Sequence, residues 1–135
     1  MMAGYSGTPL VKKLGIKPGA GVLLVGAPAG FDGLLDLPDD VKLSRRAGKS
    51  PYDVILFFTK SRAVFERELP KQRVRMAPAC GLWICWPKKA SKVATDMTED
   101  VVREVALPTG LVDNKVCAID DVWSGLRLVI RKELR

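Results

Sequence analysis

The sequence predicts a three-layer α/β domain whose sheet has about five to six strands, is mostly parallel and ends in an antiparallel hairpin. Three observations predict it. Short apolar runs alternate with segments that carry helix-start and helix-stop signals. The first strand-like run ends in a glycine-rich turn, and a polar turn separates the last two runs. A chain of 135 residues has the length of one domain, so residues 1–135 are expected to form a single unit.

The N-terminal part, residues 1–17, is expected to form a short helix and the lead-in to the sheet. Thr8 can cap this helix, Pro9 suits the first helical position and Gly15 suits a left-handed stop. Val22–Val25 then forms a continuous apolar run. Such a run is typical of a strand that is buried on both faces.

A glycine turn, Gly26–Gly30, follows this strand, as at the start of a Rossmann-like domain. Phe31–Leu37 is predicted to form about two helical turns before Pro38. Val41–Leu43 is predicted as a weak edge strand, and the sequence does not assign its pairing partner. Only a short polar segment, shorter than a usual parallel crossover, separates it from the next strand.

The middle of the chain contains the strongest strand, Asp53–Phe58, which is rich in β-branched and aromatic residues. Ser61 is predicted to cap a helix from about Arg62 that is interrupted or kinked near Pro70 and resumes toward Met76. Ala77–Gly81 is predicted as a turn.

Leu82–Trp86 is predicted as the third buried strand. Trp83 and Trp86 have opposite parity in it and should point to opposite faces. Asp96 followed by Glu99 resembles a capping box and predicts a helix through Leu107.

The closing hairpin is predicted from two strand-like runs, Lys115–Ile119 and Leu126–Arg131, with the turn Asp120–Gly125 between them. Trp123 would lie in this turn, where it is hard to bury. The sequence therefore leaves a contact with a partner, or with a second copy of the chain, open as its role.

The composition excludes several classes of protein. No run is long enough for a membrane span, and the N-terminus lacks the basic start and apolar run of a secretory signal. The three cysteines suit a reducing compartment, so a cytoplasmic location is expected, with Cys85 and Cys117 as buried, unreactive thiols. Without histidine the chain has no Ser-His-Asp triad and no histidine-based zinc site, and no metal site is predicted.

The chain is basic, with 22 Lys and Arg against 15 Asp and Glu, a net charge of +7. Such an excess favours acidic partners such as nucleotides or phosphorylated metabolites, and it also serves solubility.

Several motifs resemble those of class I S-adenosylmethionine-dependent methyltransferases. Lys17-Pro18-Gly19 leading into Val22–Gly30 is similar to the opening of that family. Pro51–Leu56 is similar to its fourth-strand motif, and Met76–Trp83 to the entry of its fifth strand. The resemblance implies a truncated methyltransferase-like Rossmann fold in which one helix–strand unit is absent.

A second resemblance is to a small bacterial family, a domain of unknown function, for which the resemblance implies the same reduced fold and no particular activity. The segments that carry it are Trp86–Ser91, Thr98–Glu104 and Asp121–Leu126.

Two departures from the methyltransferase pattern disfavour S-adenosylmethionine as the cofactor. Leu24 and Pro28 stand where that family has an acidic residue and the middle glycine of its first loop. The family's carboxylate after the second strand is also missing, since Leu43 is followed by Ser44-Arg45-Arg46. An arginine there suits a phosphate better than a diol.

We expect a ligand at the carboxyl edge of the sheet, where open α/β sheets bind theirs. The segments that follow three of the four predicted parallel strands are cationic. The hypothesis is a non-enzymatic domain that binds a nucleotide or phosphorylated metabolite, with these candidate residues: Gly26, Ala27, Gly30, Arg45, Lys60, Trp86, Lys88 and Lys89.

Two alternatives stay open. The first is a methyltransferase with a degenerate loop. With no histidine, Asp32 or Asp36 would be the carboxylate nearest the glycine turn, although no residue is assigned a catalytic role. The second is a nucleic-acid or protein interaction module. The basic residues Lys71, Arg73 and Arg75 do not share a helix face, and no DNA-binding signature is present, so nucleic acid is the weaker alternative.

Overall fold

The computed structural model describes residues 9–48 and 51–135. In them the chain forms three α-helices and six strands, connected in part by short 3₁₀ turns. The helices are α1 (Leu10–Leu14), α2 (Arg62–Val74) and α3 (Glu99–Ala106). The strands are β1 (Gly21–Val25), β2 (Lys42–Ser44), β3 (Tyr52–Phe58), β4 (Met76–Pro87), β5 (Leu111–Ala118) and β6 (Trp123–Ile130).

The strands form one sheet in the order β2-β1-β3-β4-β6-β5. The first four run parallel, β6 is antiparallel to β4, and β5 is antiparallel to β6. The predicted mixed α/β sheet with an antiparallel end is therefore confirmed. Since β1, β2, β3 and β4 are parallel, their carboxyl ends meet at one edge of the sheet.

Both faces of the sheet are covered. On one, the α2–α3 face, Leu23, Ile55 and Ile84 pack against Phe65 of α2 and Val102 of α3. The opposite face, the α1 face, is covered by α1 and by the turn after β1; its core residues include Leu14, Val22, Phe31, Leu56 and Trp83. Trp83 and Trp86 lie on opposite faces, as the parity of the strand predicts, and both are buried.

Helix α1 ends at Gly15, as predicted. Gly15 takes the left-handed conformation at φ 77°, and its amide donates to the carbonyls of Lys12 and Val11. Pro9 occupies the N-cap of α1 and not the first helical position that was predicted for it. With ψ of 144° it precedes the helix, and its carbonyl accepts from the amides of Lys12 and Lys13. The predicted cap Thr8 lies outside the described residues.

The helix predicted over Phe31–Leu37 is wrong in type and length. The chain forms only a 3₁₀ turn, Phe31–Leu34, which begins after Gly30 in the left-handed conformation. A 3₁₀ turn closes with fewer residues than an α-helix, and it places Phe31 and Leu35 in the core before Pro38.

The edge strand near Val41–Leu43 exists as β2, and it pairs with β1 in parallel, Gly21 opposite Lys42. Residues 45–51 join β2 to β3, and the described ones among them contain no helix. The helix–strand unit that the sequence resemblance leaves out is therefore missing at the link between β2 and β3.

Two boundaries around α2 differ from the prediction. The helix runs through Pro70 and ends at Val74, before Met76. Ala77–Gly81 is not a turn, because β4 already begins at Met76. Met76 pairs with Tyr52, and the register then shifts before Gly81 pairs with Val54. This irregularity explains how Pro78 is tolerated inside a strand.

The cap of α3 is Thr98, whose hydroxyl accepts from the amide of Val101 at 3.1 Å. Asp96, the predicted cap, lies two residues too early. Its carboxylate instead accepts from the amide of Arg62 at 2.7 Å and so adds to the capping of α2, whose N-cap is Ser61 as predicted.

The closing hairpin is confirmed, with its strands starting earlier than predicted. Trp123 belongs to β6 and is half-buried, with its ring 5.2 Å from that of Phe58. A packing role replaces the exposed turn position expected from the sequence.

Candidate functional site

The glycine turn after β1 is held against the end of β3. Gly26 has φ of 67°, and a Cβ there would lie 2.7 Å from the carbonyl oxygen of Phe58. Ala27 is half-buried and packs on the α1 face. Two of the turn's carbonyls accept hydrogen bonds from the following 3₁₀ turn, Pro28 from the amide of Phe31 and Gly30 from the amide of Gly33.

Arg45 lies after β2 and forms an ion pair with Asp32 of the 3₁₀ turn, 2.9 Å between Nη2 and Oδ1. The hydrogen bond from Arg45 is the main cause that holds the pKa of Asp32 below its usual value. The pair joins the two loops that the sequence analysis placed around a ligand. It also leaves Asp32 as a partner of Arg45 rather than a free base.

Lys60 is exposed, and its contribution to the structure is through its backbone. Its carbonyl accepts from the hydroxyl of Thr95 at 2.6 Å and from the amide of Asp96 at 3.4 Å. These bonds fasten the end of β3 to the segment before α3.

A cavity of about 630 Å³ lies at the carboxyl end of β4, and we call it the Lys88 cavity. Trp86 and Met97, both buried, contribute apolar walls, and Glu99 is the one carboxylate among its lining residues. Glu99 is already in an ion pair with Arg103. The cavity is lined by Trp86, Pro87, Lys88, Lys89, Lys92, Val93, Ala94, Thr95, Met97, Thr98, Glu99 and Ser124.

The lysine segment that rims the Lys88 cavity has an ordered backbone. The amide of Lys88 donates to Val122 at 2.8 Å, and the hydroxyl of Ser91 donates to the carbonyl of Lys88 at 2.7 Å. Lys92 takes the left-handed conformation at φ 61°, which is uncommon for a residue with a side chain. The three lysine positions are therefore set by specific backbone contacts.

Of the eight candidate residues, the structure brings Trp86, Lys88 and Lys89 together in the Lys88 cavity. The other five do not line it. Sequence reasoning left Lys92, Thr95 and Ser124 out of the site. Lys92 had a signal, since it belongs to the same basic segment, whereas Ser124 arrives only because it pairs with Trp86 across β4 and β6.

The cysteines offer no nucleophile at this edge. Burial raises the pKa of Cys80 from 9.0 to about 12, and it also raises the pKa of Cys85 well above its usual value. Burial is also the main cause of the raised pKa of Cys117. Thiols with raised pKa values are poor nucleophiles, because the thiolate is the reactive form.

Comparison with solved structures shows what fold this chain has. It is similar to a SAM-dependent methyltransferase from Aquifex aeolicus, with a TM-score of 0.61 and 18% identity over 90% of this chain and 88% of that one. The N-methyltransferase NodS from Bradyrhizobium japonicum WM9 gives 0.60 and 13%, over 91% and 93% of the two chains. The ribosomal protein L11 methylase of Lactobacillus delbrueckii subsp. bulgaricus gives 0.59 and 10%, over 90% and 75%.

The fold is methyltransferase-like. No family model and no curated protein matches the chain, so the resemblance to the small bacterial family stays a prediction. Each of the three is named as a methyltransferase or methylase. At these identities they show the fold alone.

The first loop departs from the pattern that the methyltransferase resemblance implies for S-adenosylmethionine. Leu24, which stands in the place of the expected carboxylate, is 1% exposed and packs in the core of the α1 face. Pro28 has no amide hydrogen to donate. Arg45, which follows β2 where a carboxylate would bind the ribose, already pairs with Asp32.

Among residues 9–48 and 51–135, no helix is long and apolar enough to cross a membrane. The same residues contain no group of three or more His, Cys, Asp or Glu side chains placed to hold a metal ion.

Proposed function

We propose that this methyltransferase-fold protein binds an anionic small molecule, a nucleotide or a phosphorylated metabolite, in the Lys88 cavity. The observation that carries the proposal is the cavity itself, which combines apolar walls with a rim of three lysines at the carboxyl edge of a parallel sheet. Open α/β sheets bind their ligands at this edge.

The size and the lining of the Lys88 cavity both suit such a ligand. Its volume of about 630 Å³ is in the usual range for small-molecule sites, roughly 300–1,000 Å³. The indole of Trp86 offers an aromatic wall for a base, while Lys88, Lys89 and Lys92 supply charge for a phosphate. Glu99 does not neutralise these lysines, because its ion pair is with Arg103.

The proposal narrows the candidate residues. Trp86, Lys88 and Lys89 stay in it, joined by Lys92, Thr95 and Ser124. Arg45 has a carboxylate partner, and Gly26 is needed for the close approach of the turn to β3. We therefore infer that the glycine turn supports the fold and that the ligand binds nearer to β4.

Titration with AMP, followed through the tryptophan indole N–H signals in NMR spectra, tests the proposal. We expect the Trp86 signal, assigned with Trp86→Phe, to move on saturation. The Trp83 indole is buried and donates to Leu14 on the opposite face of the sheet, so its signal reports ligand bound on that face instead. No movement of the Trp86 signal would contradict the proposal for nucleotides, and the same titration with a sugar phosphate covers the other ligand class.

A charge-matched pair of variants distinguishes a site from general attraction to a basic protein. Removing two of the three rim lysines with Lys88→Ala and Lys89→Ala is expected to weaken AMP binding by about tenfold or more. The control, Lys42→Ala with Lys132→Ala, removes two exposed lysines that do not line the cavity, and it should leave the affinity within about twofold. Equal losses in the two variants would show that net charge alone attracts the nucleotide.

S-adenosylmethionine-dependent methyl transfer is the second candidate, and the fold favours it. Calorimetry with S-adenosylmethionine separates it from the first. Because Leu24 and Pro28 stand where the methyltransferase family has an acidic residue and a glycine, we expect no saturable heat of binding. Binding in the micromolar range would replace the first proposal with the second.

A further inference from the structure

Arg127 lies on the α1 face of the sheet, opposite the face of Trp86, and does not line the Lys88 cavity. It is in β6 and pairs with Trp83 of β4 on one side and with Lys115 of β5 on the other. Its guanidinium rests against Gly81, where a Cβ would lie 2.5 Å from Nε and 3.0 Å from Cζ and Nη2. A side chain at position 81 would displace the guanidinium, so the glycine makes room for it.

The guanidinium of Arg127 has no acidic partner in the described part of the chain. None of the ion pairs there includes it, and neither does any side-chain hydrogen bond. The residue is half-buried, and burial is the main cause that lowers its pKa from the usual value. A partly desolvated charge without a counter-charge is unfavourable unless an anion binds it.

Two adjoining cavities share Arg127 and Gly15. The smaller, about 240 Å³, contains no carboxylate and is lined by Lys12, Lys13, Gly15, Asn114, Lys115 and Arg127. The larger, about 380 Å³, adds Lys17 and the carboxylate of Asp53. A cationic cavity therefore borders a second one that also contains a carboxylate.

The walls of both cavities are attached to the sheet. The indole of Trp83 donates to the carbonyl of Leu14 at 3.1 Å, and Nζ of Lys115 donates to the carbonyl of Lys13 at 3.1 Å. These bonds hold the end of α1 above β4 and β5. Asp53 accepts from the amide of Gly21 through Oδ2, and no hydrogen bond among the described residues uses its Oδ1.

We propose that Arg127 binds the phosphate of a phosphorylated small molecule in the smaller cavity, at a second site separate from the Lys88 cavity. The planar guanidinium donates two parallel hydrogen bonds to phosphate oxygens, a geometry that an ammonium does not offer. Lys12 and Lys115 add charge at the rim. The remainder of the molecule occupies the larger cavity, where Oδ1 of Asp53 accepts a hydroxyl hydrogen.

The test is titration of the full chain with inorganic phosphate at constant ionic strength, with chloride as the reference anion. NMR signals are followed for the Arg127 side-chain Nε–H and for the backbone amides of Gly15 and Lys115. We expect saturable shifts at these positions, together with a higher melting temperature in phosphate, because a ligand of the native state stabilises it. The absence of saturable shifts would overturn the proposal.

Arg127→Gln removes the charge, and we expect it to weaken phosphate binding by about tenfold or more. Arg131→Gln makes the same change at an exposed position on the same segment and should leave the affinity unchanged. Equal losses in the two variants would overturn the proposal in favour of a general charge effect. Arg127→Lys keeps the charge without the paired donor geometry, and we expect it to bind phosphate several-fold more weakly than the unmodified protein. This variant also provides the test if Arg127→Gln does not fold.

Each of the two proposed sites can be refuted without the other. Substitution of Lys88 and Lys89 should leave the phosphate shifts at Arg127 intact, and Arg127→Gln should leave the AMP-dependent shift of Trp86 intact. Phosphate shifts confined to the Lys88 segment would overturn the second site while supporting the first.

Discussion

At the residue scale, glycine contributes through the space it leaves. Gly81 makes room for the guanidinium of Arg127, and Gly26 lets the turn after β1 approach the backbone of Phe58. At Gly26 the positive φ adds a second requirement, because residues with a Cβ are strained in the left-handed region. The glycine turn is therefore a structural requirement of the edge, whatever ligand is bound there.

Gly26→Ala is expected to lower the free energy of unfolding by about 2 kcal/mol or more, from backbone strain together with a contact that only a backbone shift relieves. Urea denaturation measures the loss. Gly33→Ala is the matched control, since a Cβ at Gly33 meets nothing within 4 Å and its φ is not positive. That variant should be neutral or slightly more stable. Similar losses in both variants would refute the role of the close contact.

At the element scale, α2 and α3 are connected through their N-termini. Asp96, in the segment before α3, accepts from the first amide of α2. Thr95 binds the carbonyl of Lys60 just before that helix. A single segment thus caps one helix while it leads into the next, and it also forms part of the Lys88 cavity wall.

Asp96→Ala is expected to destabilise the protein by about 1 kcal/mol, the usual contribution of a helix cap. Asp36→Ala makes the same change at an exposed aspartate with no side-chain partner among residues 9–48 and 51–135, and it should leave the stability nearly unchanged. Thermal unfolding at pH 7 provides the comparison. A loss in Asp36→Ala as large as that in Asp96→Ala would mean that net charge, not capping, is measured.

At the scale of the whole molecule, the sheet is unevenly supported. β1 and β3 are central strands and are almost completely buried, whereas the three-residue β2 is an edge strand that pairs on one side only. The described residues between β2 and β3 form no helix that could cover β2. Stability should therefore fall from the centre of the sheet toward this edge.

Hydrogen exchange should report this gradient. Amides of Lys42–Ser44 are expected to exchange through local opening, well before the amides of Leu23 and Ile55 in the centre of the sheet. Mass spectrometry or NMR measures the protection of each segment. Equal protection of Lys42–Ser44 and the central strands would show that β2 unfolds only with the whole domain.

Most strands could be read from local pattern, because burial on both faces requires continuous apolar runs such as Val22–Val25. The same local patterns predicted the mixed sheet, the opposite faces of Trp83 and Trp86, and the role of Gly15. The predictions that were wrong concern boundaries where tertiary contacts compete with local propensity. Phe31–Leu37 shortened to a 3₁₀ turn, and Asp96 capped a different helix.

The candidate site shows the same division. A run of lysines after a buried strand is visible in the sequence, and so are Trp86, Lys88 and Lys89. No local pattern indicates that Ser124 lies beside Trp86, that Arg45 is paired with Asp32, or that Arg127 lies over Gly81 without an acidic partner. Local sequence encodes burial and periodicity, whereas contacts between residues far apart in the chain depend on the pairing of strands, which only the folded sheet establishes.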